Sequence, residues 1–352
     1  MTTWRDVAEH AIRGLGVRPG ELIQVREHTG RLDVILEMLL AIERAGATPL
    51  LELTPPTYIK RLLDEAPLSY LLNWDEHRIR WMEEVDRVLV LQGAGVDAND
   101  LDPDALDAWS SAVQRLTALE EERHLPYMLV AVPTEERAQR VGMSLRDLEA
   151  YILPALVVPV ETLRERIQAV LNAVYQAQTL TIITDGHELY LHRGRRRWLT
   201  DDGYVDEEDR ITGAITSNLP AGSVYTTVIE TATTGTLRAR YNRLPVLLTF
   251  KEGTITEVEG AGADTFLALL ERHTGDCRRV GHVGVGLNPA LDHPIQWTVI
   301  DEHVAGAVFI SLGENRYMGG QNASSLNIDL PLERATLLAD QTPIVREGRL
   351  VV

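Results

Sequence analysis

The apolar rhythm of the chain changes once, near residue 155, and that change constrains the fold more than any other feature. Before it, strand-like runs at Glu21 to Val25, Thr48 to Leu53, Arg87 to Leu91 and Tyr127 to Ala131 alternate with helix-like stretches. This is the pattern of a sheet covered by crossover helices. Leu32 to Ala45 is densely apolar and is followed by Gly46, a helix stop. Asp102 ahead of Pro103 predicts the cap and first turn of another helix. After the change, a helix from Glu161 to Gln176, with Leu163, Ile167, Val170, Leu171 and Val174 on one stripe, leads into β-rich sequence. Thr179 to Thr184 and Glu188 to His192 flank Asp185-Gly186, which reads as a hairpin because Asp-Gly accepts the positive φ angles of a tight turn. Further strands are expected at Ser223 to Glu230, Gly235 to Ala239, Val246 to Phe250, Thr254 to Glu259 and Ala307 to Leu312. We therefore expect an α/β N-terminal domain over residues 1–155 and an α+β C-terminal domain over 156–352 that carries the functional site.

Composition excludes several classes of function. The chain of 352 residues is long enough for two hydrophobic cores, and Lys+Arg 34 against Asp+Glu 52 leaves a formal charge of -18. That charge repels phosphate backbones and anionic membranes, so nucleic acid is not an expected partner. The densest basic run, Arg193, Arg195, Arg196 and Arg197, reads as a solvated surface. A lone Cys277 rules out an internal disulfide or a thiolate cluster, and fits a cytoplasmic setting. The longest apolar stretch, Tyr151 to Val160, is about half a membrane span and is broken by Pro154 and Pro159. Nucleotide binding is not expected either. The turn after the first strand, Arg26-Glu27-His28-Thr29-Gly30, lacks spaced glycines, and Gly93-Ala94-Gly95-Val96-Asp97-Ala98 lacks the third one.

Two segments carry ligand chemistry. Asn327-Ile328-Asp329, behind Gly319-Gly320-Gln321-Asn322, has polar groups two residues apart, which on a strand project from one face. Gly281-His282-Val283-Gly284-Val285-Gly286-Leu287-Asn288-Pro289 sets a histidine among residues small enough for a tight backbone path. Taken alone, the first also fits a capped turn and the second a hydrogen-bonded histidine beside a Gly-rich turn. His293 and His303 read as surface or supporting groups.

The ordered series Asn218 to Thr226, Gly281 to Pro289, Asp301-Glu302 with Gly306 to Gly313, and Asn327-Ile328-Asp329 resembles the aminopeptidase T family of metallopeptidases over roughly residues 160 to 352. The resemblance implies that family's two-domain scaffold. It also implies metal ligands that are mostly replaced: Ser223 and His282 stand where the family has glutamates, Phe309 and Asn327 where it has histidines, and only Asp329 matches. Tyr317 corresponds to an active-site tyrosine. The dihydroxypyridine dioxygenase branch of the same superfamily is similar in placing a histidine in the Gly-His segment and an aspartate in the final pair, around a single iron ion.

Three functions follow as expectations. The first is a small-molecule mononuclear metalloenzyme of the dioxygenase type, with His282, Asn327 and Asp329 as metal ligands and Glu314 and Tyr317 as acid/base groups. Iron(II) is the favoured ion, with zinc, cobalt or manganese as substitutes. The second is a leucyl aminopeptidase-like metallohydrolase with a site built from residues such as Glu230, Glu257, Glu259 or His293. The third is a binding protein that uses no metal and keeps only the cleft. A small-molecule substrate and a homodimer are implied by the resemblance.

Overall fold

The computed structural model describes residues 2–96, 101–212 and 215–352. It divides into two compact units, Met1–Val157 with Gly203–Pro220, and Val158–Asp202 with Ala221–Val352. The single boundary near residue 155 does not account for residues 203–220, whose strand pairs with the sheet of the first unit.

In the first unit, β1 (Leu22–Glu27), β2 (Thr48–Leu53), β3 (Arg87–Gln92), β4 (Tyr127–Ala131) and β8 (Thr216–Leu219) form a parallel sheet ordered β2-β1-β3-β4-β8. The expected helices are Leu32–Arg44, with Gly46 at φ +80°, and Pro103–Glu122, with the Asp102 side chain accepting from Ala105 N–H. Asp97 and Ala98 lie outside the described residues.

The second unit starts with the helix Val160–Val174 and holds two sheets. The larger is ordered β12-β11-β10-β6-β5-β16-β17-β18, from β5 (Thr179–Thr184), β6 (His187–His192), β10 (Thr234–Tyr241), β11 (Leu244–Lys251), β12 (Thr254–Glu259), β16 (Thr336–Ala339), β17 (Thr342–Arg346) and β18 (Arg349–Leu350). The Asp-Gly hairpin forms as expected, with Asp185 at φ +48° and Gly186 at φ +80°. The smaller sheet is ordered β15-β14-β13-β9-β7, from β7 (Trp198–Asp201), β9 (Ser223–Thr227), β13 (Val280–Gly286), β14 (Val308–Gly313) and β15 (Asn327–Leu332). Both segments singled out for chemistry are therefore strands in one antiparallel sheet, rather than turns.

Alternation along that sheet separates core from site. Val224, Val283 and Val285 point to the face that meets Val170 and Val174 of the helix, Leu180, Leu337 and Ile344. The basic run is split: Arg195 and Arg197 are exposed, as expected of a solvated surface, whereas Arg193 and Arg196 turn inward. Arg193 is buried and donates to Ala177 O (2.7 Å), Tyr175 O (3.3 Å) and Arg196 O, and so satisfies carbonyls left unpaired after the helix ends. Arg196 donates from Nη2 to both oxygens of the buried Glu230 carboxylate, at 2.9 and 3.0 Å.

Candidate functional site

The register of the smaller sheet brings distant parts of the sequence onto its other face. Gly286 faces Ser223, which faces Asp201; Gly284 faces Tyr225 and Phe309; His282 faces Thr227; Ser311 faces Asp329; Gly313 faces Asn327. Because successive residues alternate faces, His282, Gly284, Gly286, Phe309, Ser311, Asn327 and Asp329 share one side. The glycines are needed there. A Cβ on Gly284 would stand 2.3 Å from the Phe309 ring, and one on Gly286 would stand 2.4 Å from Val304 O and 2.5 Å from Glu302 O. The ring and the 302–304 backbone thus lie directly on the sheet.

His282 is the centre of this face and is 5% exposed. Tyr225 and Phe309 flank its ring, at centroid distances of 5.7 and 5.8 Å. Ser311 Oγ accepts the His282 backbone N–H at 2.8 Å and stands 2.6 Å from Nδ1. The other ring nitrogen, Nε2, lies 3.0 Å from Asp329 Oδ1. That oxygen is buried, yet it accepts no hydrogen bond: the separation is that of an ion pair, but the direction of a ring N–H misses it. Asn327 donates from Nδ2 to Tyr317 Oη at 3.0 Å, which leaves its carbonyl oxygen as the end available to a cation.

A second set of ionisable groups, missed in the sequence, stands beside this pair. The His303 ring lies 3.4 Å from Asp201 Oδ2 and 3.8 Å from Glu302 Oε1, and its Nδ1 donates to Val299 O at 2.9 Å. His303 is not at the surface; it is 1% exposed. Burial, and then the charge of Asp329, push the Glu302 carboxyl up to about 8. Burial alone would lower His303, but its contact with Asp201 and the charges of Glu302 and Asp201 outweigh that and raise it. Burial and the Asp329 charge also raise the Tyr317 phenol, against a smaller lowering by the Asn327 hydrogen bond. The sequence signals for this set were Glu302, within the Asp301-Glu302 pair of the resemblance series, and His303, read as a surface or supporting group; Asp201 carried none.

The other candidates are not gathered here. The Glu314 carboxylate accepts from Arg316 N, Nε and Nη2 and from Ser324 N, so it anchors a loop and is not free to exchange protons with a substrate. Those bonds hold it below its ordinary range despite partial burial. Glu257 and Glu259 sit on β12 of the larger sheet, and the exposed His293 pairs with Asp292. Cys277 is buried, with its thiol directed at Leu270 O. Among the described residues, no three His, Cys, Asp or Glu side chains converge to hold a metal ion.

The fold is the one seen in aminopeptidase T and in 2,5-dihydroxypyridine dioxygenase. Wild-type AmpT from Thermus thermophilus superposes with a TM-score of 0.79 at 20% identity, covering 99% of both chains. The structure of 2,5-dihydroxypyridine dioxygenase from Pseudomonas putida KT2440 gives a TM-score of 0.67 at 18% identity, covering 99% of this chain and 97% of that one. Residues 150–352 match the family model of NicX, 2,5-dihydroxypyridine 5,6-dioxygenase, and the chain belongs to that family. The 2,5-dihydroxypyridine 5,6-dioxygenase of P. putida is 25% identical over 250 residues, 64% of this chain and 69% of that protein. Among the described residues no helix is long and apolar enough to cross a membrane.

Proposed function

We propose that the chain is a mononuclear metal-dependent dioxygenase acting on a small dihydroxylated nitrogen heteroaromatic. His282 and Asp329 would hold one divalent ion, iron(II) before zinc, cobalt or manganese, with the Asn327 amide oxygen as a weak third donor. The observation that carries this reading is Asp329 Oδ1, a buried carboxylate oxygen without a hydrogen bond 3.0 Å from an imidazole nitrogen. Two donors each about 2.1 Å from one ion, at a right angle, are about 3.0 Å apart, so the pair has the spacing of neighbouring ligands. Imidazole with carboxylate suits iron(II) and leaves positions open. A second ion does not fit, because Ser223 offers a hydroxyl and Phe309 fills its position with a ring seated on Gly284.

When bound, the ion supplies redox and Lewis-acid chemistry at the open positions. The protein's own groups do the rest. Tyr225 and the buried Phe309 keep water from the His282 ring, and the partly buried Tyr225 can offer a flat surface to a planar substrate. Glu302, whose carboxyl burial and the Asp329 charge push above the usual range in the metal-free protein, is the group beside the pair that can hold or pass a proton. Asp201 and His303 hold compensating charge behind it. Tyr317 orients the Asn327 amide. With this reading goes a cytoplasmic, homodimeric enzyme.

The test is metal analysis of protein purified without chelator, joined to oxygen uptake with dihydroxypyridines and iron(II), for wild type, His282→Ala and Asp329→Asn. No bound ion and no uptake in the wild type would end this reading. Amine release from amino-acid anilides with cobalt, zinc or manganese would point instead to a hydrolase. Ligand-induced stabilisation without metal or turnover would mark a binding protein.

A further inference from the structure

The β13–β14 ladder breaks between Val280 and Val283, immediately around His282. Backbone groups freed by such a break need other partners, since burying them unpaired is costly. Here three side chains supply them. Ser311 Oγ takes the His282 N–H at 2.8 Å, Asn315 Nδ2 donates to Gly281 O at 2.8 Å, and Asn322 Nδ2 donates to Val280 O at 3.0 Å and Gly313 O at 3.1 Å. Asn322 N–H in turn donates to Asn315 Oδ1 at 2.8 Å, so the two amides are locked together. All three side chains are fully buried.

The surrounding sequence is shaped to this clasp. A Cβ on Gly281 would stand 2.6 Å from Ser311 Oγ, and one on Gly320 would stand 2.1 Å from the Asn315 amide. Asn322 leaves its own carbonyl oxygen buried without a hydrogen bond. Turning the amide over would set that oxygen against two backbone carbonyls, so the observed orientation is the one the site dictates. Outside the clasp, Glu230 accepts from Gln321 N–H at 2.6 Å and Arg196 donates to Gly319 O, tethering the far side of the loop. The same loop carries Tyr317, which meets Asn327. One loop therefore touches the strand of His282 through Asn315 and Asn322 and the strand of Asn327 and Asp329 through Tyr317, which lies between them.

We infer that Asn315 and Asn322, acting with Ser311, are positioning residues that set the His282 ring against Asp329 by replacing the missing ladder bonds at the β13 break. The inference rests on the reading of His282 and Asp329 as the ion's ligands. Groups that orient a ligating histidine typically change metal affinity by about 10- to 100-fold when removed. A merely structural role would lower stability and leave the affinity of the folded protein alone.

Cobalt(II) affinity and the visible cobalt(II) spectrum are measured on chelator-stripped wild type, Ser311→Ala, Asn315→Asp and Leu270→Ala. Asn315→Asp keeps an acceptor for Asn322 N–H but replaces the donor to Gly281 O by a carboxylate oxygen and adds a buried charge; Leu270→Ala is a core truncation in the same unit. The expected result is affinity weakened about 10- to 100-fold, with an altered spectrum, in the first two variants, and unchanged binding in Leu270→Ala at a comparable drop in Tm. Affinity within about twofold of wild type in both site variants would overturn the inference. If the wild type itself binds no cobalt, the parent reading has failed. The inference is then decided by ring ¹⁵N shifts of labelled histidine in metal-free protein, with His282 assigned by its loss in His282→Gln. One fixed tautomer in wild type and averaging in Ser311→Ala and Asn315→Asp supports the positioning role, and identical shifts in all three overturn it.

Discussion

Replacing Glu302 by glutamine removes a charge and almost no volume, and its effect on stability is calculable from the site. The carboxyl is carried from its ordinary 4.5 to about 8, first by burial and then by the charge of Asp329. Below 4.5 the group is protonated whether the chain is folded or not, and it contributes no pH dependence. Between 4.5 and 8 the unfolded chain gives up a proton that the native protein keeps, so wild-type stability falls as pH rises. Above the native value both states are ionised and the loss is complete. At about 1.4 kcal/mol for each factor of ten in proton affinity, the full excursion is about 5 kcal/mol. The side chain is 15% exposed, so little of this is screened away. Asp201 and His303 readjust in the variant, and we expect the gap between Glu302→Gln and wild type to widen by at least about 2 kcal/mol across the window. In a domain of this size that is a Tm difference of roughly 4–8 °C. Calorimetry of chelator-treated protein at about pH 5 and about pH 8.5 measures it. The glutamine variant should gain on wild type at the higher pH only. A divalent ion bound beside Asp329 should shrink the gain. Equal differences at both pH values would refute the account of Glu302 as a carboxyl held protonated by its surroundings.

Three further outcomes are expected. Gly284→Ala drives a methyl group into the Phe309 ring and should lower stability by about 1–3 kcal/mol in urea unfolding, with part of the loss recovered by Phe309→Leu. Arg196→Ala strands the buried Glu230 carboxylate and should cost about 3–5 kcal/mol, whereas Arg5→Ala, in an exposed helix pair, should cost little by the same measurement. Asp329→Asn should abolish cobalt(II) binding in equilibrium dialysis while leaving the metal-free Tm unchanged or raised, because it removes a charge whose buried Oδ1 makes no hydrogen bond that folding would lose.

The sequence by itself determined the two kinds of sheet. Alternating strand and helix patterns, Asp102-Pro103, Gly46 and Asp185-Gly186 act through local backbone and burial preferences that a short window reveals. His282 and Asp329 were legible for a similar reason, because residue types and a two-residue period announce a strand face. What only the tertiary structure decided is which groups meet there. The Glu302, His303 and Asp201 set depends on Gly286 seating a segment from elsewhere in the chain, and Glu314 was lost to Arg316 and Ser324 through a loop that no periodicity describes. Arg193 left the solvated run and became a buried prop because carbonyls past a helix end needed donors. The ladder break around His282 belongs to the pairing of two strands, and strand register is a long-range property that neither strand carries alone.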